Sequence, residues 1–247
     1  MKILKLFIAI FLAATLSFAA GGCSWDMNNP YADEWDVQII GDSVFDLSGD
    51  IHDVLQDLSG KSYKDRSVSG AKIAAIADQL YYAERRSSLK SLLADGGAND
   101  ILQGSMDCDS DPLTQGCLDV LDYIGDTMWN MIVDMYYGPS DSHVWMGYYH
   151  VTGDDEEKNE AIDYAYDWIY PDLFDFSPYG GTNFTGTTDY GDYYGSDLND
   201  FTIAMTDPRD HIYPSDLKSD GIHPKYSGSE KLAYMLWGVM EQKTFYR

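Results

Sequence analysis

A serine, a histidine and an aspartate stand in this chain where they could share one proton relay. Ser43 follows a short apolar run, Val37 to Ile40, through Gly41-Asp42, and Asp220 and His223 lie three residues apart in Asp-Gly-Ile-His-Pro. A serine hydroxyl is a weak nucleophile until a base takes its proton, and an imidazole is a better base when a carboxylate holds its tautomer. Gly70, in a Val-Ser-Gly turn, offers an unhindered backbone N–H, and Asn99, in Gly-Ala-Asn-Asp, offers a side-chain amide. Donors of these two kinds suit an oxyanion site. The residues together therefore offer a Ser, His, Asp triad with a place to hold developing negative charge.

Such groups must be brought together by the elements that carry them. Val37 to Ile40 reads as a strand, and a helix follows from about Gly49 to Leu58. A second extended stretch, near Ser62 to Val68, leads into a helix from Ala71 to Arg85, whose Ile73, Ile76 and Leu80 share one face. Leu89 to Leu93, His143 to Val151 and Phe201 to Met205 read as the remaining strands. Helices are expected over Leu118 to Tyr137, from Asp154 to about Tyr170, and over Gly228 to Gln242. Five strands separated by helices predict a parallel five-stranded sheet in a three-layer α/β/α sandwich. Ligands of such sheets bind beyond the carboxyl ends of the strands, where Ser43, Gly70 and Asn99 are delivered. The stretch from Pro171 to Asn199, rich in Gly, Tyr, Asp, Ser and Thr, is expected to be a long loop.

Gly41-Asp42-Ser43, the Val-Ser-Gly turn ending at Gly70, Gly97-Ala98-Asn99-Asp100 and Asp220-Gly221-Ile222-His223 together resemble the four blocks of the SGNH/GDSL hydrolase family, in the family's order. The resemblance runs from position 41 to 223. It implies a flavodoxin-like α/β/α fold and serine-dependent hydrolysis of carboxylic esters without metal or organic cofactor. Carried over block by block, Ser43 is the nucleophile, His223 the general base and acid, and Asp220 its orienting partner. The oxyanion donors are then the Ser43 and Gly70 N–H groups and the Asn99 amide. Two departures stand out: Ser87 to Asp95 is more polar than the family's third strand, and Asp65-Arg66-Ser67 stands where an Asn often precedes the second block's glycine. The α/β-hydrolase elbow, Gly-x-Ser-x-Gly, does not fit, because Phe45 occupies the second glycine's place.

Composition narrows the partners. Sixteen Lys and Arg against 41 Asp and Glu leave a formal charge of −25, a field that repels nucleic acids and anionic membranes. The expected substrates are small-molecule, lipid or acetylated-carbohydrate esters. Lys2 and Lys5 precede an apolar run from Leu6 to Ala20, so residues 1 to 22 read as an export signal, with 23 to 36 as a linker and 37 to 247 as one domain. Ala20-Gly21-Gly22-Cys23 resembles a bacterial lipoprotein cleavage site, which would lipidate Cys23 and anchor the protein in the cell envelope. Ordinary cleavage and secretion, with Cys23 a spare thiol, is the alternative. Cys108 and Cys117 are close enough in sequence to form a disulfide. The rival function on the same fold is a non-catalytic surface lipoprotein that binds glycans through the tyrosine-rich stretch. Asp107 to Asp111 begins like a calcium loop but lacks its glycine and its twelfth-position Glu. His150, near the end of the fourth strand, either faces the pocket or is structural.

Overall fold

A computed structural model describes residues 36–104 and 108–245. The export signal, Cys23 and Asp107 of the calcium-like loop lie outside the described residues. Seven strands form one sheet: β1 (Val37–Ile40), β2 (Lys64–Asp65), β3 (Ser91–Ala94), β4 (Ser142–Met146), β5 (Thr182–Thr188), β6 (Gly191–Leu198) and β7 (Phe201–Asp207). Their spatial order is β2-β1-β3-β4-β7-β6-β5, and every pairing from β2 to β7 is parallel. The five expected strands are thus present, in the flavodoxin-like order with β7 as the fifth.

Every residue of β1 and β3 is buried, as parallel strands covered on both faces must be. The polar Ser91 in β3 is buried with its apolar neighbours. Helices α1 (Ser43–Asp46), α2 (Gly49–Ser59), α3 (Ile73–Glu84), α4 (Ala98–Leu102) and α5 (Gln115–Tyr137) alternate with the strands. The helical stretch expected up to Tyr170 is segmented. A 3-10 turn (Gly153–Lys158) leads into α6 (Asn159–Tyr164), which runs through a π turn (Ala165–Ile169) into α7 (Tyr170–Leu173), and α8 (Tyr226–Gln242) closes the chain. Helix α2 packs on α8, and α3 packs on α5. Cys108 and Cys117 are joined by a disulfide, stapling the segment that enters α5.

The sheet differs from expectation at one end. Pro171 to Asn199 is not a structureless loop, because it contains α7 and the antiparallel hairpin β5–β6, whose two-residue connection is Asp189-Tyr190. Strand β6 then pairs antiparallel with β7, so the sheet is mixed and seven-stranded rather than parallel and five-stranded. The composition misleads because a hairpin at a sheet edge keeps one polar face, and β5 exposes Thr182, Asn183, Thr185 and Thr187. Helix α8 occupies the other face. Tyr190 stacks on Tyr234, and Tyr193 donates to Gln242 Oε1 at 2.7 Å. These tyrosines are engaged in packing at the hairpin end of the sheet, separated from β4 by β7.

Candidate active site

Strand β1 ends in a turn that leaves no room for a side chain. A Cβ on Gly41 would sit 1.9 Å from Asp95 Oδ1, and Gln79 of α3 clamps the glycine by accepting from its N–H (2.7 Å) and donating to its carbonyl (2.9 Å). Asp42 then caps α1: its Oδ1 accepts the Val44 N–H at 2.9 Å, which starts a helix with Ser43 as its first residue. Ser43 is 8% exposed. Asp42 is itself buried, and its Oδ2 accepts from the Tyr148 hydroxyl at 2.5 Å and from Asn99 Nδ2 at 3.2 Å.

Beneath this turn lies a second carboxyl. Asp95 Oδ1 accepts the Asp42 N–H at 2.7 Å, while Oδ2 is buried with no hydrogen-bond partner among the described residues. Burial pushes the Asp95 carboxyl well above its ordinary range, and the nearby Asp42 charge pushes the same way. Burial raises Asp42 as well, opposed by the hydrogen bonds from Tyr148 and Val44. Burial and the Asp42 charge both favour the neutral form of Asp95 over its charged form.

Asn99 stands on α4, the short helix after β3. Its Nδ2 donates to Asp42 Oδ2 and, at 3.1 Å, to the Ala71 carbonyl, and its Oδ1 accepts from Gln103 Nε2 at 2.6 Å. Both amide protons thus have protein partners, the Asp42 contact being the longer. The neighbouring Asp100 caps α3 by accepting the Ile73 N–H at 2.8 Å, which ties the second and third blocks together. Gly70 sits in an exposed turn with φ +77°. The chain reaches it by running along β1, with Arg66 N–H donating to Ile39 O and Val68 N–H to Gly41 O. A Cβ on Gly70 would lie 3.9 Å from Gln103 Nε2.

The segment carrying Asp220 and His223 is pinned to the end of β4. Thr152 N–H donates to Gly221 O at 2.9 Å, Tyr149 hydroxyl to Ile222 O at 2.7 Å, and Lys218 N–H to His223 O at 2.7 Å. Asp220 Oδ1 accepts the N–H groups of Ile222 and His223, both at 3.0 Å, and its Oδ2 faces His223 Nδ1 at 2.9 Å. Partial burial raises the Asp220 carboxyl, but these donors outweigh it and hold it at about 2. An ionised carboxylate can only accept, so Nδ1 carries the proton facing Asp220, and Nε2 is the ring nitrogen left over to act as a base. That atom is buried without a partner among the described residues. His223 also lies near enough to Asp42 for its charge to lower that carboxyl.

Ser43, Asn99 and Ile222 line one small cavity with Tyr148, Tyr149 and several aliphatic side chains. The structure thus gathers the Ser43, Asn99 and Asp220-His223 blocks at the carboxyl edge of the sheet. Gly70 stands beside them, near Gln103, and does not line that cavity. Sequence reasoning missed Asp95, Gln79, Gln103, Tyr148 and Tyr149. The last two sit just beyond β4, a strand-end position that could have marked them. His150 is held away from this chemistry: its Nε2 pairs with Asp163 Oδ1 at 2.9 Å, an oxygen that also accepts from Arg209.

No family sequence model matches the chain, and no curated protein matches it in sequence. Solved structures do. A GDSL-like lipase from Bacteroides thetaiotaomicron superposes with a TM-score of 0.56 at 12% identity, covering 88% of this chain and 93% of its own. An acylhydrolase from Bacteroides fragilis gives 0.56 at 12%, covering 90% and 99%. An acetyl xylan esterase from Geobacillus stearothermophilus gives 0.52 at 13%, covering 82% and 92%. The chain therefore has the α/β/α fold of the SGNH/GDSL hydrolases, with its sheet extended by a hairpin.

Proposed function

We propose that the protein is a serine ester hydrolase of the SGNH/GDSL type. The observation that carries this reading is the Asp220–His223 pair, in which His223 Nε2 is buried with no partner among the described residues, close to the Asp42-Ser43 turn. In the reaction Nε2 takes the Ser43 proton as Oγ bonds to the acyl carbon, and then gives that proton to the leaving alcohol. Water, deprotonated by the same nitrogen, attacks the acyl-enzyme and releases the acid and Ser43. Asp220 stays ionised throughout. The helix α1 N-terminus, with the Ser43 N–H, and the Asn99 amide are the nearest oxyanion donors. Asn99 would turn one proton from its long contact with Asp42 onto the oxyanion, and Gly70 N–H would complete the set.

The test is intact-mass analysis after treatment with a fluorophosphonate, beside hydrolysis of a short nitrophenyl ester, for wild type and Ser43→Ala. One adduct and turnover in wild type alone are expected. A folded protein giving neither would overturn the reading and leave glycan binding on the same fold as its successor. We further propose export directed by residues 1–22 and lipidation of Cys23. Cys23→Ser should then move the protein from the detergent phase to the aqueous phase, and unchanged partitioning would refute the anchor.

A further inference from the structure

The cavity beside Ser43 is small and its walls are mostly apolar. Its volume is about 20 Å³, with Val44, Ile101, Leu102, Val151, Ile162 and Ile222 among its walls. A water needs about 10 to 15 Å³ on this measure, so the space seats a methyl or ethyl group and little more. A second void of about 10 Å³ lies alongside, walled by Leu121, Ile124, Ile169 and Tyr170. Ala98, Ile101, Tyr148 and Ile162 line both. Of these, Tyr148 is anchored by its hydrogen bond to Asp42 and Ala98 has nothing to remove. The separation therefore rests on Ile101 of α4 and Ile162 of α6, both nearly fully buried. His223, which must protonate the leaving alcohol, does not line this cavity. The alcohol thus departs on the histidine side, and the small, largely apolar cavity is left to the acyl group.

We propose that Ile101 and Ile162 form the floor of an acyl seat that limits the enzyme to acyl groups of two or three carbons, the acetyl class. This rests on the hydrolase reading above. Each methylene that cannot be seated costs about 10-fold or more in kcat/KM, so acetyl esters should exceed hexanoyl esters by at least 100-fold. Truncating either isoleucine joins the two voids and admits a longer chain.

The experiment measures kcat/KM for nitrophenyl acetate, butyrate, hexanoate and octanoate on wild type, Ile162→Ala, Ile162→Val and Ile101→Val. Fluorophosphonate labelling of Ser43 is the control for an assembled site. Expected are a steep fall with chain length in wild type and a hexanoate-to-acetate ratio at least 10-fold higher in Ile162→Ala. The valine variants should shift in the same direction by less, and they decide the matter if the alanine variant fails to fold. Wild type that labels fully but prefers hexanoate or octanoate would overturn the floor while leaving the hydrolase intact. Labelled variants with the wild-type chain-length profile would do the same. No label and no turnover would remove the hydrolase and the acyl seat together.

Discussion

Tyr148→Phe removes one hydroxyl and leaves the ring in place. That hydroxyl donates at 2.5 Å to Asp42 Oδ2, in a carboxyl 1% exposed that has, among the described residues, only Val44 N–H and Asn99 Nδ2 as further donors. Water cannot replace the lost donor there without opening the site. A hydrogen bond to a charged group contributes about 1.5 to 3 kcal/mol. For a folded unit of this size each kcal/mol moves Tm by about 2 to 4 °C, so the variant should melt roughly 3 to 12 °C lower. Asp42 Oδ2 also holds Asn99, so turnover should fall by on the order of 10 to 10²-fold as the amide loses its position. The assay is a double-mutant cycle of Tyr148→Phe with Asp42→Asn, read by chemical denaturation and by ester turnover. A coupling of about 1.5 to 3 kcal/mol is expected. Strict additivity, with coupling below about 0.5 kcal/mol, would refute the claim that these two groups act on each other.

The buried Asp95 makes stability pH-dependent. Its carboxyl is raised in the folded state, so folding retains a proton that the unfolded chain releases, and stability is lost as pH rises from the ordinary carboxylate range through the raised folded value. Asp95→Asn keeps the acceptor for Asp42 N–H and carries no titrating proton. Its stability relative to wild type should therefore improve as pH rises above the ordinary carboxylate range in urea unfolding, and parallel curves would contradict the assignment. Gly221→Ala places a Cβ 2.1 Å from Thr152 O at φ +72°, so it should displace Asp220 and His223 and reduce turnover far more than it lowers Tm. An alanine variant with wild-type kcat would show that this turn does not set the histidine. Asn99→Ala should cost on the order of 10² to 10³ in turnover if the amide serves the oxyanion, and full activity would exclude it. Removing the Cys108–Cys117 bridge with paired serines should cost about 2.7 kcal/mol in the chain-entropy account, checked by denaturation with and without reductant.

Much of the fold was legible because its signals are local. The apolar runs at Val37 to Ile40 and Phe201 to Met205 and the helical spacing of Ile73, Ile76 and Leu80 each report their own burial, and all three appear where expected. The hairpin was not legible. Its threonines and glycines satisfy a strand only when β7 offers an edge and α8 covers Tyr190 and Tyr193; β7 follows β6 directly, but α8 lies farther along the chain and its cover is not written in the hairpin itself.

The same division runs through the site. The order of the Ser43, Gly70, Asn99 and Asp220-His223 blocks, and the three-residue spacing that lets His223 meet Asp220 within one turn, are written in the chain itself. What lies under and around them was decided in three dimensions. Asp95 reads as one acid among 41 until Gly41 packs on it, and Tyr148 reads as a strand-end aromatic until it reaches Asp42, 106 positions earlier in the chain. Burial, the raised affinity of Asp95 for its proton and the size of the cavity beside Ser43 depend on which distant side chains exclude water. Side-chain order along the chain carries that information only after the chain has folded.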